Sequence, residues 1–164
     1  MAESDARNLR GIDGWLLVFL ASCVVTSLFY LIAFGFNNLL QQWREQYYGV
    51  TLPPMIAVEG GIVECVRIAL PLIILWRMIV ARRWRTIAWT IAAIWLLFIG
   101  LPLADFGFAV AWFGWARVGG GLARLVQGNG VGIVCAVGAT FYLLGSRRVA
   151  ATYPRHVDLD QVFD

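Results

Sequence analysis

Four long apolar runs dominate this chain of 164 residues and leave it little choice of fold. They cover about residues 15–36, 55–80, 86–106 and 128–145. A helix needs about 20 apolar residues to cross the hydrocarbon of a bilayer, so four crossings consume most of the chain. Hydrophobic residues make up 60% of it and charged residues 14%, with a mean hydropathy of +0.74. A soluble domain is nearer half apolar and about a quarter charged. Eight Trp residues suit the aromatic belts at the membrane surfaces. The expected fold is all-α, a polytopic integral membrane protein with four transmembrane helices over those runs. The expected organisation is a cytoplasmic N-terminal segment at 1–14, a transmembrane domain at 15–146 and a cytoplasmic tail at 147–164. The first run is too long for a signal-peptide core and no small-x-small cleavage site follows it, so it reads as a retained helix.

The arginines set the orientation. All 13 basic residues are Arg. Arg7, Arg10, Arg77, Arg82, Arg83, Arg85, Arg147, Arg148 and Arg155 fall on one side of this threading, and Arg44, Arg117 and Arg124 on the other. The cytoplasmic side carries the positive excess, so both termini are expected inside. Asp13 is a candidate cap for the first helix. Residues 37–53 read as an outer loop with Trp43, Tyr47 and Tyr48 at the interface. Pro53-Pro54 ends that loop and opens the second helix, where Pro at the first turn is tolerated. The short turn at 81–85 makes helices two and three antiparallel neighbours. The 107–127 stretch has three open readings: an extension of helix three, a re-entrant segment, or an interfacial amphipathic segment. The last is favoured, because Trp112, Trp115, Arg117 and Arg124 prefer that depth.

Charges at membrane depth are expensive and need a partner or a purpose. The second run holds Glu59, Glu64 and Arg67. At about 100° per residue, with Glu59 at 0°, Arg67 falls near 80° and Glu64 near 140°, all on one half of the helix. Glu64 and Arg67 are spaced i, i+3, so their side chains meet. From Pro54, at ~1.5 Å per residue, Glu59 lies about 7 Å in and the other two about 15–20 Å in. Pro71 removes a backbone hydrogen bond and crowds the carbonyl of Arg67, so a kink is expected there. This intramembrane polar site is either a proton- or anion-binding site or an internal ion pair that fixes packing, and the ion pair is the simpler account.

Other features bound the chemistry. Cys23, Cys65 and Cys135 sit singly in apolar runs and are expected to be buried as small apolar residues. With no Cys-x-x-Cys and one histidine, His156 in the polar tail, no metal site, disulfide framework or cofactor is expected. No His lies in a span to ligate haem, and there is no Walker loop, Gly-x-Ser-x-Gly elbow or metalloprotease helix. No basic stripe suits nucleic acid. Gly128-x-x-x-Gly132 and Gly138 permit close helix approach, within the chain or across a homodimer. Asp105, near the outer end of helix three, is expected to pair with Arg117 or stay in water.

Two ends of the chain carry a family resemblance. Gly11-Ile12-Asp13-Gly14-Trp15-Leu16 resembles the Gly-Ile-Gly-Gly-Trp-Leu opening of a family of small four-helix bacterial inner-membrane proteins. Tyr142 followed by Ser146-Arg147-Arg148-Val149-Ala150-Ala151-Thr152-Tyr153 is similar to its Tyr-x-x-x-Ser-Lys-Arg-Val-Lys-x-Thr-Phe ending. Glu64 matches a Glu typical of its second helix. Asp13 replaces a Gly, and Ala139 stands where an aromatic is usual. The resemblance implies four spans, inside termini and a bacterial inner-membrane location. It implies no activity.

Three functions compete. The first is a non-enzymatic accessory or scaffold subunit of a larger inner-membrane complex, with membrane lipids and other integral membrane proteins as partners. Trp112, Trp115, Arg147 and Arg148 are its candidate contacts with partner or lipid. The alternative is a small proton-coupled transporter, working as a dimer through a membrane-embedded Glu. Against it, Arg67 beside Glu64 favours the ionised carboxylate. A membrane enzyme of the four-helix glutathione-transferase kind ranks last, because it needs charges shared among helices and only the second run offers them at depth.

Overall fold

The computed structural model describes residues 14–49, 53–118 and 121–154, and every regular element among them is helical. Asp13 and His156 lie outside the described residues. Helix α1 runs Trp15–Tyr48, 34 residues. It overruns the expected end at Phe36 because apolarity stops there but helicity does not: Gln41, Gln42 and Glu45 are good helix formers. The helix ends at Gly49, whose φ of 61° is left-handed and suits a residue without Cβ. At ~1.5 Å per residue α1 is about 50 Å long, well beyond a hydrocarbon core of about 30 Å.

Helix α2 spans Pro54–Val80 with Pro53 as its N-cap, and it stays continuous through Pro71. Beside that proline, the buried Ser27 of α1 donates to the carbonyl of Ile68 at 2.9 Å. The third run is longer than expected. Helix α3, Trp84–Trp95, passes through a π-turn at Leu96–Gly100 into α4, Leu101–Phe113. Pro102 explains the turn. Its ring crowds the carbonyl of Phe98, and the ladder relaxes so that the Leu101 N–H reaches Leu96 oxygen, five residues back. Gly114, at φ 80°, ends α4. A short α5, Trp115–Val118, precedes α6, Gly121–Gly145, and α7, Arg147–Thr152. The 107–127 stretch is therefore not one interfacial segment. Its first part extends the third helix and its last part begins the next.

Two stretches, Trp15–Tyr47 and Trp84–Phe113, are long and apolar enough to cross a membrane; Asn129–Gly145 is a shorter apolar helix. Helix α1 packs on α2, α2 on α3 and α4, and α6 on α3, the π-turn and α4. Gly132 allows the last approach: a Cβ there would lie 2.5 Å from Phe98 Cδ1, so this glycine serves packing within the chain. Gly138 faces open space.

The core is lopsided. It gathers Leu16 and Leu20 of α1, Ile74 and Met78 of α2, Ile87 of α3, Leu97 of the π-turn, Leu143 of α6 and Val149 of α7. These lie near the start of α1, the end of α2 and the end of α6. At the same end Ser146 caps α7 by accepting from the Val149 N–H. Tyr153, fully buried, donates to the Met78 carbonyl at 2.5 Å. That carbonyl is one of the last four of α2 and lacks an intrahelical partner. Burial pushes the Tyr153 hydroxyl up to about 12. The Arg148 guanidinium lies against Gly14, 3.4 Å from where a Cβ would stand. The chain's opening and closing motifs thus meet. Cys23 is buried, but Cys65 and Cys135 are exposed, contrary to expectation, because they lie on outward faces of α2 and α6.

Candidate functional site

At the opposite end of the bundle, between α1, α2 and α4, none of the described residues belongs to the apolar core. Three charged side chains tie this end together instead. Arg67 Nη1 donates to Glu64 Oε1 at 2.6 Å, one turn back on α2. Its Nη2 donates to Asp105 Oδ2 of α4 at 2.5 Å. The side chains of Arg67 and Glu64 are 19% and 20% exposed, and that of Asp105 34%. Charge-assisted bonds of this kind are about twice as strong as neutral ones. Asp105 thus pairs with Arg67, which the sequence reading did not foresee, and charge is shared between two helices. The hairpin at 81–85 folds α4 back along α2 and makes this possible.

Two of the carboxylates keep oxygens outside these contacts. Glu64 Oε2 is buried with no hydrogen-bond partner. Glu59, half-buried, forms no ion pair among the described residues, and it lines the same cavity as Asp105.

A cavity of about 610 Å³ opens onto these groups. Phe34, Asn37, Asn38, Gln41, Gln42 and Glu45 form its α1 wall; Glu59, Gly60, Gly61, Glu64 and Arg67 its α2 wall; Asp105 closes it from α4. Gly60 and Gly61 keep it open, since no atom lies within 4 Å of where a Cβ on either would stand. The structure brings Glu59, Glu64 and Arg67 to one site, as their shared helix face suggests. The α1 wall and Asp105 escaped the sequence reading. A signal existed: Asn37, Gln41 and Glu45 recur every four residues, which is one face of a helix continuing past Phe36.

Trp112 and Trp115 lie away from this site and are exposed, Trp112 stacked on Phe108 and Trp115 edge-on to Phe106. Arg147 is exposed and Arg148 half-buried at the other end of the bundle. Among the described residues, no group of three or more His, Cys, Asp or Glu is arranged to hold a metal ion. No family model, curated protein or solved structure matches this chain.

Proposed function

We propose that this chain is a four-span protein of a bacterial inner membrane, with cytoplasmic termini, that moves a small polar solute in exchange for protons. The carrying observation is the cavity that ends on Glu59, Glu64, Arg67 and Asp105. Packing alone calls for the ion pairs but not for a chamber of small-molecule size beside them, lined by polar side chains and by Phe34, Ile56, Ala57 and Val63; ligand sites are typically about 300–1,000 Å³. The objection that Arg67 holds Glu64 ionised loses force, because Glu59 offers a carboxylate outside the ion pairs. One irregularity of helix geometry lies near the site, the π-turn that precedes Asp105, and π-bulges frequently occur at functional sites. The arginine distribution and the motifs at both ends of the chain support the threading.

A second reading, a non-enzymatic accessory subunit of a larger membrane complex, draws on the exposed Trp112 and Trp115 beyond the triad. The two separate in purified proteoliposomes carrying a trapped pH dye. Transport requires that some member of a panel of amines, amino acids and sugars drives proton movement, and that Glu59→Gln abolishes it. Silence across the panel, together with co-purification in a larger assembly, establishes the accessory role instead.

A further inference from the structure

The lining of the cavity specifies the charge of its ligand. Four carboxylates face it, those of Glu45, Glu59, Glu64 and Asp105, against the single guanidinium of Arg67. Both ends of that guanidinium are engaged, one by Glu64 and one by Asp105. An anion would find no cation at liberty and several carboxylates opposing it. A cation would find Glu59 outside the ion pairs, with its carboxylate on the cavity wall. The described acidic groups do not assemble into a metal site, so the charge to be met is spread along the chamber rather than focused at a point. The amide side chains of α1 add carbonyl acceptors along one wall, and Phe34 adds an aromatic ring to the lining.

We infer that this cavity binds a small organic cation bearing N–H donors, an amine or guanidinium compound, with Glu59 as the carboxylate that receives it. This rests on the cavity being a solute site, as the transport reading holds, but it does not require transport. The donors matter because every leftover group named above is an acceptor. The volume admits a molecule longer than ammonium, so that one end reaches Glu59 while its body lies along the α1 amides.

The test uses the full chain in detergent micelles, with agmatine as probe and succinate as the anionic control, read by calorimetric titration. Agmatine binds saturably and succinate does not. Glu59→Gln weakens agmatine by roughly tenfold or more, the scale expected when one partner of a desolvated charge pair is removed. Gly61→Leu fills the chamber without touching a charge, and it abolishes binding while the unliganded protein melts as before, since its Cβ enters open space. Absent agmatine binding, succinate binding as tightly as agmatine, or agmatine affinity unchanged in either variant overturns the inference. Agmatine binding without proton movement in liposomes defeats the transport reading alone. Movement of uncharged solutes without agmatine binding defeats this inference alone.

Discussion

Arg67 of α2 reaches Asp105 of α4, 38 residues further along the chain, with Nη2 2.5 Å from Oδ2, while its other nitrogen holds Glu64. One guanidinium therefore links two helices at the level where the hydrophobic core has run out. The three side chains behave as a unit, and breaking a buried pair costs more than replacing it whole, because the partner is stranded. Arg67→Gln should lower stability by about 1–3 kcal/mol, a figure reduced for the partial exposure of the triad. Adding Glu64→Gln alone should recover only part of this, since Asp105 still faces no cation. Adding Asp105→Asn as well should recover most. Thermal melting of the single, double and triple variants measures it, and simple addition of the losses would show that the three do not interact.

Glycine 132 should be the intolerant member of its motif. Gly132→Ala places a Cβ against the Phe98 ring and should cost about 1–3 kcal/mol, the usual range for overpacking. Gly138→Ala, facing open space, should cost little. Phe98→Leu introduced with Gly132→Ala should relieve part of the loss. Equal melting of the two glycine variants would contradict the packing described here.

At the other end of the bundle, the Tyr153 hydroxyl gives a pH signature. Its folded value of about 12 lies above the ordinary 10, so the neutral form is the one that folding favours. The stabilisation is fully present below pH 10 and is lost as pH rises toward 12. Tyr153→Phe should lower stability at neutral pH by about 1–3 kcal/mol, because the Met78 carbonyl loses its donor. It should also flatten the decline between pH 10 and 12. The other Tyr and Cys groups that titrate near this window are common to parent and variant, so the difference between the two isolates Tyr153. A variant that declines as steeply as the parent would remove Tyr153 from the account.

Much of the fold is legible in the sequence where local chemistry decides it. Pro53-Pro54 starts α2 because proline fits the first turn and little else in a helix, and the observed start falls within a residue of the expected one. The helix wheel brings Glu59, Glu64 and Arg67 together because one helix carries all three. The errors come where apolarity stops being a proxy for helix. Past Phe36 the residues turn polar and α1 continues, since they face a chamber and not a loop. Asp105 was beyond reach for another reason. Its partner lies on a different helix, and their meeting depends on how the hairpin and the Pro102 π-turn set α4 against α2. No pattern along the chain records that distance.

Threading is tested separately. Reporter fusions after Arg85 and after Tyr153 should be active in the cytoplasm, and fusions near Tyr48 and Gly120 outside it, as the nine-to-three division of arginines requires. An external C-terminus would invert the whole arrangement.

On the proposed threading, the chamber that ends on Glu64, Arg67 and Asp105 opens to water on the outer side of the membrane. Cysteine labelling tests this. In a background with Cys23, Cys65 and Cys135 replaced by Ala, one new thiol is placed at Gly61, on the chamber wall, and in a second protein at Ile73, an exposed apolar position on the same helix. Intact cells are then treated with a membrane-impermeant maleimide, which reacts only with thiols in water. The account predicts that Gly61→Cys is labelled from outside, that Ile73→Cys is not, and that agmatine slows the labelling. A Gly61→Cys protein that stays unlabelled in intact cells, or is labelled only after the membrane is opened, would contradict it.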